Sequence, residues 1–537
     1  GGAAARPPKL SQLVKKSLTR GSSGFSMTDL LLHYDPNRLY QKHYKTLIRI
    51  GEGGFGSVHR CEHLLTGDRR AVKIISKANI NQDMHFVLVE IEALLLLDHP
   101  NIVKFYEFFE QDECILLITE LCACGDFGLL HRSRCPLEEI RPLFRDMMLG
   151  IAYCHDQNVV HRDLKLENCL LCEGQTRKIA KVIDFGLSAI RMDAHSPPQG
   201  EDTPKSPKED NEDWLQEALG TKYFAAPEVI DKNKKYGTKC DLWSAGVMLY
   251  ILCTNEHPFA EQASRLPTKA LFKAVCTSPM RVQPLLKARV PEDACGLMRS
   301  LITRDTARRV DAIGALSMPW LRPKDSHELD FTNCLPRKKA TRIAERLNSW
   351  SETTYFEKVL LMLVGHQAKL KEVDDMRVAF MSLDKNGDGS LSKEELRCGL
   401  QTRGYALSDF EDMFSWLDSN ENAKLDYSEW LSATLEPQVI AAENSIRELF
   451  DYFDADSSGS ITCQELTRVV SSEEAKHVLE LNDVSKDGVI DYKEFKELLE
   501  SLARVRGKGS GPLRPTPLPS PAGPVVPDGP QGPVGPS

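Results

Sequence analysis

The sequence predicts an α+β protein: a unit of two lobes, the first mostly β and the second mostly helical, is followed by an all-α domain of four helix–loop–helix units. Three observations lead to this prediction. Separated motifs rich in glycine or in charged residues lie within the first 250 residues, a basic and apolar stretch begins at residue 337, and four acidic loops of twelve residues lie between residues 384 and 494. The chain of 537 residues is long enough for two to four domains.

The composition narrows the class of protein. Hydrophobic residues at 41% and charged residues at 27% are ordinary for soluble globular domains. A formal net charge of -9 argues against a nucleic-acid-binding protein, which would show a basic stripe. The sequence predicts no transmembrane segment, and we expect a cytoplasmic protein, with a peripheral membrane association left open. The fifteen cysteines lack zinc-site spacing, so we expect reduced thiols.

The second lobe is organised around one charged stretch. His-Arg-Asp-Leu-Lys-Leu-Glu-Asn begins at residue 161, and Asp-Phe-Gly follows from residue 184. This pattern suits phosphoryl transfer, which needs a nucleophile held in line and divalent metals that neutralise charge on the phosphates. We expect Asp163 to accept the proton of a substrate hydroxyl and Lys165 to steady the γ-phosphate. Asn168 and Asp184 would hold Mg²⁺.

The first lobe contains a glycine-rich turn, Gly-Glu-Gly-Gly-Phe-Gly-Ser-Val, which begins at residue 51 between two expected strands. Glycines there let the backbone cover phosphates closely, although the turn alone could also be a dinucleotide-binding fingerprint. Lys73 follows on an expected strand. Its expected partner is Glu90 on a helix-like stretch, with Glu92 as the alternative. Two further motifs follow in the second lobe: Ala-Pro-Glu at 226–228 and Asp-Leu-Trp-Ser-Ala-Gly at 241–246.

Together these motifs resemble the eukaryotic protein kinase family over roughly residues 44 to 320. The resemblance implies a bilobal protein kinase fold that uses ATP and Mg²⁺, with Thr119 as gatekeeper. It also implies that Lys165 and Thr221 mark the serine/threonine class and that Glu167 meets basic residues of a substrate. The predicted catalytic residues are Asp163, Lys165, Asn168 and Thr221. The predicted nucleotide-binding residues are Ile50, Gly51, Gly53, Gly56, Val58, Ala71, Lys73, Glu90, Thr119, Glu120, Cys122, Glu167 and Asp184.

A basic amphipathic stretch follows the second lobe. After Arg337, Lys338 and Lys339, apolar residues recur at roughly helical spacing, at Ile343, Leu347, Trp350, Phe356, Val359, Leu360, Leu363 and Val364. Such a helix is typical of targets for a calmodulin-type groove, although taken alone it would more often be an ordinary packed helix. The calcium loops that follow favour the first interpretation.

Four twelve-residue loops have oxygen-bearing residues at the positions that bind calcium, and three of them have the glycine that position 6 requires. The second loop has Ala423 there, and positive φ at alanine costs ~1 kcal/mol or more, so we expect this loop to bind most weakly. Val489 would contribute its carbonyl. The predicted ligands are Asp384, Asn386, Asp388, Ser390 and Glu395; Asp418, Asn420, Asn422, Lys424 and Glu429; Asp454, Asp456, Ser458, Ser460 and Glu465; and Asp483, Ser485, Asp487, Val489 and Glu494.

A kinase unit, a junction and a four-loop domain in this order resemble the calcium-dependent protein kinases of plants and protists over about residues 44 to 502. The resemblance implies direct activation by Ca²⁺ through a calmodulin-like domain with four EF-hands. The expected organisation is a flexible leader (1–43), a protein kinase domain (44–321), an autoinhibitory junction (322–371), a calmodulin-like domain (372–505) and a disordered Pro- and Gly-rich tail (506–537).

We therefore predict a calcium-activated, monomeric serine/threonine kinase that acts on protein substrates near basic residues, with the junction helix bound by its own calmodulin-like domain. One rival is a catalytically silent kinase fold that acts as a calcium-sensing scaffold, and another is a calcium buffer. Intact Lys73, Asp163, Asn168 and Asp184 argue against the first, and the junction argues against the second. Two switching schemes stay open: the junction plugs the substrate cleft without calcium, or the calcium-bound domain braces the kinase.

Overall fold

The first lobe is built on a five-stranded antiparallel sheet with the strand order β1-β2-β3-β5-β4. The computed structural model describes residue 14 and residues 26–31, 38–53, 56–79, 84–190, 223–231, 236–322, 337–401 and 410–508. The strands of this sheet are β1 (Tyr44–Gly53), β2 (Gly56–His63), β3 (Arg69–Ser76), β4 (Phe105–Glu110) and β5 (Cys114–Glu120). β-Branched and aromatic residues fill these strands, which suits a pleated and half-buried surface.

One long helix packs with this sheet, and two short helices precede it. They are α1 (Met27–Leu31), α2 (Tyr40–His43) and α3 (Met84–Leu96). Helices α1 and α2 lie within the segment that was expected to be a flexible leader. They are ordered because Leu30 and Tyr40 are buried, and because Thr28 Oγ1 donates a hydrogen bond to the carbonyl oxygen of Leu95 in α3.

The second lobe is mostly helical, as expected, with two small antiparallel ribbons at its junction with the first. Its helices are α4 (Phe127–Ser133), α5 (Leu137–Asp156), α6 (Pro227–Ile230), α7 (Lys239–Thr254), α8 (Thr268–Thr277), α9 (Gln283–Lys287), α10 (Glu292–Leu301) and α11 (Ala312–Leu316). The ribbons pair β6 (Val159–Val160) with β9 (Ala189–Ile190) and β7 (Cys169–Glu173) with β8 (Lys178–Val182). The ribbons flank the loop that carries Asp163, and α7 lies fully in the core behind it.

The remaining described residues form an all-α region with two small ribbons. Its helices are α12 (Arg337–Asn348), α13 (Tyr355–Gln367), α14 (Leu370–Leu383), α15 (Lys393–Gln401), α16 (Phe410–Leu417), α17 (Tyr427–Thr434), α18 (Pro437–Ile440), α19 (Glu443–Phe453), α20 (Cys463–Leu466), α21 (Ser472–Asn482) and α22 (Tyr492–Lys508). The ribbons are β10 (Leu391–Ser392) with β11 (Lys424–Leu425), and β12 (Ser460–Thr462) with β13 (Val489–Asp491). None of the helices described has the length and apolar character that a membrane crossing requires.

The junction helices α12 and α13 lie inside this all-α region. Helix α13 packs against α17 and α19, and the Trp350 indole donates a hydrogen bond to the carbonyl oxygen of Trp416 at 2.9 Å. Thr354 caps α13 with a capping box completed by Glu357. All eight apolar side chains that the sequence placed on one face are buried: Ile343, Leu347, Trp350, Phe356, Val359, Leu360, Leu363 and Val364.

Shortening one of these side chains should weaken the all-α region. Leu360 is fully buried in α13, so Leu360→Ala should lower the free energy of unfolding by roughly 2–5 kcal/mol through lost burial and a residual cavity. Chemical denaturation followed by tryptophan fluorescence measures this change. Leu481→Ala is the control, because Leu481 is 68% exposed in α21 and its removal should cost no more than about 0.5 kcal/mol.

Candidate active site and calcium loops

The Lys73 ammonium on β3 contacts carboxylates from two other elements, the helix α3 and the segment that follows β8. Its Nζ lies 2.5 Å from Glu90 Oε1 of α3 and 3.0 Å from Asp184 Oδ1. The pairing is with Glu90, one of the two partners that the sequence left open. Burial alone would raise the pKa of Asp184, but the charge of Lys73 holds it below its usual value. Asp184 therefore keeps a negative charge in the cleft, as a metal ligand requires.

The catalytic loop brings Asp163, Lys165 and Asn168 together. Lys165 Nζ lies 2.6 Å from Asp163 Oδ2, and the Asn168 side-chain amide donates to Asp163 Oδ2 at 3.2 Å and to its backbone oxygen at 2.9 Å. Asp163 Oδ1 is buried and accepts no hydrogen bond from any residue that the structure describes. A buried carboxylate oxygen without a donor suits a group that accepts a proton from a substrate hydroxyl.

Asp241 anchors this loop from below. It is buried at the start of α7 and accepts hydrogen bonds from the backbone N–H groups of His161 at 3.0 Å and Arg162 at 2.9 Å. His155 Nε2 lies 2.8 Å from the same carboxylate. Burial would raise the pKa of Asp241, but the hydrogen bond and charge of His155 keep it below the usual value. In the sequence Asp241 begins the Asp-Leu-Trp-Ser-Ala-Gly motif, which does not by itself predict that Asp241 holds the catalytic loop.

Arg309 and Glu228 form a second anchor that the sequence analysis missed. Arg309 Nη1 lies 2.5 Å from Glu228 Oε1, and both side chains are buried. Glu228 belongs to the Ala-Pro-Glu motif at the start of α6, so the ion pair fixes the end of the segment that leaves the cleft. Because 81 residues separate the partners, no local sequence pattern predicts this contact.

The predicted nucleotide-binding residues line the sheet and the connection between the lobes. Gly51 pairs with Val58 across β1 and β2, and Ala71 pairs with Thr119 across β3 and β5. A Cβ at Gly56 would overlap the carbonyl oxygen of Ile74, so glycine is required there. Gly53 ends β1, Glu120 ends β5, and Cys122 follows two residues later. Ile50 is 44% exposed and Glu167 is exposed, whereas Thr221 lies outside the described residues.

These groups fit ATP and Mg²⁺. Asp184 and Asn168 supply carboxylate and amide oxygens, which are the ligand types that Mg²⁺ prefers. When bound, Mg²⁺ would neutralise charge on the phosphates. The strand that carries Lys73 and the glycine-rich turn lie side by side, since Val58 pairs with Lys73 in the sheet. The chain therefore offers two cations, Lys73 and Lys165, and one backbone turn for phosphates, and two oxygen ligands for the metal.

The four calcium loops share one internal geometry. The residue at position 1 accepts a hydrogen bond from the backbone N–H at position 6, at 3.0 Å for Asp384, 2.8 Å for Asp418, 2.9 Å for Asp454 and 2.8 Å for Asp483. The glutamate at position 12 accepts backbone N–H groups from the start of its own loop: Glu395, Glu429, Glu465 and Glu494. These carboxylates thus lie around one centre in each loop, and their all-oxygen donor sets fit Ca²⁺.

The remaining predicted ligands lie inside the same loops. Asn386, Ser390 and Asp388 are joined by hydrogen bonds in the first loop, and Ser485 bonds to Asp483 in the fourth. Asp454, Asp456 and Glu465 place carboxylate oxygens within 4.8 Å of one another. The other positions are Asn420, Asn422, Lys424, Ser458, Ser460, Asp487 and Val489, which occupy the loops as the spacing predicts.

The second loop differs from the others in two ways. Ala423 has φ +63°, in the left-handed region where glycine stands in the other three loops. Lys424 Nζ lies 3.1 Å from Asp388 Oδ2 of the first loop and 3.3 Å from Asp156 Oδ2 of α5. The strain at Ala423 is consistent with the expectation that this loop binds most weakly.

Loops pair as the apolar residue at position 8 predicts. Leu391 of β10 lies opposite Leu425 of β11, and Ile461 of β12 lies opposite Ile490 of β13. The helix that leaves the third loop, α20, has only 4 residues. The fourth loop begins 29 residues after the third, and this short exit helix accounts for the short interval.

Comparison with known proteins agrees with this geometry. The chain matches the protein kinase domain over residues 44–321 and the EF-hand domain pair over residues 373–435 and 443–500. It is 30% identical over 493 residues to calcium-dependent protein kinase 4 of Plasmodium berghei (strain Anka), which covers 87% of this chain and 88% of the relative. It is 29% identical over 503 residues to calcium-dependent protein kinase 11 of Oryza sativa subsp. japonica, which covers 91% and 82%.

The fold and site therefore define a protein kinase joined to paired EF-hands. The chain belongs to the calcium-dependent protein kinase family and is a calcium-dependent serine/threonine protein kinase. The predicted fold class, a bilobal kinase followed by an all-α EF-hand domain, is confirmed.

Replacement of the expected proton acceptor should remove phosphoryl transfer. Asp163→Asn takes away the carboxylate but keeps the size of the side chain, so activity on a basic serine peptide should fall by roughly 10²- to 10⁴-fold. A phosphate-transfer assay with Mg-ATP and calcium measures this loss. Asp112→Asn, in the exposed turn between β4 and β5, is the matched control. Near-normal activity of Asp163→Asn would rule out this role.

Substitutions in the loops should change calcium binding in opposite directions. Glu465→Gln removes a charge and a ligand oxygen, so calorimetry should find one fewer tight site, whereas the exposed Glu480→Gln should change nothing. Ala423→Gly relieves about 1 kcal/mol of backbone strain, so the weakest site should bind about fivefold more tightly. Unchanged affinity in Ala423→Gly would show that the strain does not limit this loop.

Proposed function

We propose that this protein transfers the γ-phosphate of ATP to serine or threonine residues near basic residues of protein substrates, and that its calcium domain acts as a brace on the kinase. The arrangement of Lys73, Glu90 and Asp184 supports the first part. An intact lysine–glutamate pair is required for a catalytically competent kinase. The exposed carboxylate of Glu167 supports the preference for basic substrates.

In the proposed reaction the residues of the chain position the substrate and neutralise charge on the phosphates; they form no covalent bond with either. ATP with Mg²⁺ supplies the phosphoryl group. Asp163 holds the substrate hydroxyl in line and accepts its proton at Oδ1, while Lys165, 2.6 Å from Oδ2, is placed between this carboxylate and the transferred group. Asp241 keeps the loop rigid through its backbone hydrogen bonds, so that the geometry is set before the substrate binds.

The brace acts on the first lobe through Arg70. This residue lies on β3, three residues before Lys73, and its guanidinium lies 2.6 Å from Glu448 Oε1 of α19 and 2.9 Å from Gln367 Oε1 at the end of α13. It also stacks 4.0 Å above the ring of Tyr106. Both members of the ion pair are buried, and the loss of Glu448 would leave the Arg70 charge with only the more distant carboxylate of Glu107, at 4.0 Å.

A second set of contacts reaches the other lobe. Asp374 Oδ2 accepts the backbone N–H of Gln175, between β7 and β8, at 2.8 Å. Lys424 contacts Asp156 at the end of α5. Because the calcium domain contacts both lobes, its docked state favours one relative arrangement of the lobes.

The position of the junction supports a brace more than a plug. The apolar face of the junction is buried against calcium-domain helices, and Lys339, in the basic first turn of the junction helix α12, pairs with Asp375 of α14. Glu167, beside Asp163, is exposed. A catalytically silent scaffold is the less favoured alternative, because Asp163, Lys165 and Asn168 lie within hydrogen-bonding distance of one another.

Truncation separates the two schemes. A chain that ends at Arg322 loses both the junction and the calcium domain. If the domain is a brace, this chain should phosphorylate a basic peptide poorly at every calcium concentration, while the full chain responds to calcium. Full activity without calcium in the truncated chain would instead identify the junction as a plug.

The brace also makes a prediction for a single contact. Glu448→Gln removes the nearer of the two carboxylates around buried Arg70 and leaves Glu107 at 4.0 Å, which should destabilise the docked state by up to roughly 3–5 kcal/mol. The calcium activation curve should therefore shift to higher calcium and reach a lower maximum. Glu473→Gln, in the exposed first turn of α21, is the matched control. A normal activation curve for Glu448→Gln would exclude this contact as a route of coupling.

A further inference from the structure

Two cysteine sulfur atoms meet behind the connection between the lobes. Cys122 follows β5, and Cys172 lies in β7; their Sγ atoms are 2.8 Å apart. Backbone hydrogen bonds hold the two segments together, since the Cys124 N–H donates to Leu171 O at 3.0 Å and the Leu171 N–H donates to Gly125 O at 2.8 Å. A disulfide needs the sulfurs at about 2.05 Å, so the pair lies less than about 1 Å from bonding distance.

The surroundings favour sulfur chemistry over metal binding. Glu120 is a third group within 4.8 Å of both sulfurs, as a divalent metal site would need. However, Glu120 Oε1 already lies 2.5 Å from Lys181 Nζ and accepts the backbone N–H of Lys104 at 2.6 Å. A lysine ammonium beside the thiols repels a divalent cation.

We propose that Cys122 and Cys172 form a redox site: a reversible disulfide, made by exchange with a small-molecule disulfide of the glutathione class, that ties the inter-lobe connection to β7. This goes beyond the proposed function, because bond formation does not depend on kinase activity. Only the effect of the bond on turnover rests on that function.

The two cysteines have different roles in the exchange. Cys122 is partly exposed, whereas Cys172 is 6% exposed. The Cys122 thiol loses its proton, attacks one sulfur of the small disulfide and releases one thiol, which leaves a mixed disulfide. The Cys172 thiol then loses its proton and attacks the Cys122 sulfur, which releases the second thiol. Both protein thiols are oxidised, and one disulfide is reduced to two thiols.

The reaction should be slow at neutral pH. The hydrogen-bonded contact between the thiols and burial raise the pKa of Cys122 well above its usual value, so only a small fraction is thiolate. The thiolate fraction rises about tenfold per pH unit below the pKa, and the rate of disulfide formation should rise about tenfold between pH 7 and pH 8.

The bond would tie the connection between the lobes to the strand that follows the catalytic loop. β7 begins directly after Asn168 of the catalytic loop, and Cys122 lies in the segment that connects the lobes. Opening and closing of the lobes accompanies nucleotide exchange in many enzymes of this architecture and often limits turnover. A covalent tie across this segment should therefore lower turnover while leaving calcium binding unchanged.

The experiment uses the full chain. The reduced protein is incubated with glutathione disulfide at pH 8, free thiols are alkylated, and linked peptides are mapped by mass spectrometry. The expected result is a Cys122–Cys172 link that is reversed by dithiothreitol, is absent in Cys172→Ser and Cys172→Ala, and persists in Cys124→Ser. A mixed disulfide at Cys122 without the link, or no reaction at Cys122, would overturn the proposal.

Two further readouts complete the test. Turnover of the oxidised protein should fall at least about threefold and recover with dithiothreitol, whereas Cys172→Ser should keep the same turnover before and after oxidant. If the Cys122–Cys172 disulfide forms without a change in turnover, the proposed effect of the redox site on the kinase is wrong. If neither the reduced nor the oxidised protein transfers phosphate, the proposed function has failed. The peptide mapping by mass spectrometry would still test whether the Cys122–Cys172 disulfide forms. Stoichiometric Zn²⁺ binding by the reduced protein, lost in Cys172→Ser, would identify a metal site instead.

Discussion

The structure depends on one shared cation. Lys73 lies on the central strand β3, Glu90 on α3 and Asp184 on the segment that follows β8, and a single ammonium joins all three. Burial alone would favour neutral Lys73, but the two carboxylates hold its pKa above the usual value. Removal of either carboxylate would leave the mostly buried Lys73 ammonium with a single counter-ion, and such a loss is costly. The position of α3 relative to the sheet is therefore tied to the charge balance of the cleft.

This dependence gives the proposed brace a physical route to the cleft. Arg70 and Lys73 lie on the same strand, so a contact at Arg70 constrains the backbone that carries Lys73. Glu448 reaches Arg70 from α19, and Gln367 reaches it from the end of the junction helix. A strand held by one ion pair and one hydrogen bond from the other domain offers a physical route for the proposed coupling, because both contacts favour the same position of β3.

The sequence predicts the groups whose members lie close together along the chain. It does not predict the contacts between the calcium domain and the kinase lobes, whose members lie far apart along the chain. Asp163, Lys165 and Asn168 lie within six residues, and each calcium loop within twelve, so their spacing encodes their geometry. Arg70 and Glu448 are 378 residues apart and carry no local pattern. The ordering of the expected leader also depends on distant contacts: Leu30 is buried, and its carbonyl oxygen accepts the Tyr452 hydroxyl of α19 at 2.9 Å.

Lys104 shows how the junction meets the segment between the lobes. Its backbone N–H donates to Glu120, and its Nζ donates to the carbonyl oxygen of Ala368, directly after α13, at 3.0 Å. Glu120 in turn holds Lys181 beside Cys122. A ligand shifts a conformational equilibrium only through its different affinity for the two states. In the proposed brace, the contacts of Lys104 with Ala368 and of Arg70 with Gln367 and Glu448 require the docked arrangement, so they would supply that difference at both the hinge and the strand of Lys73.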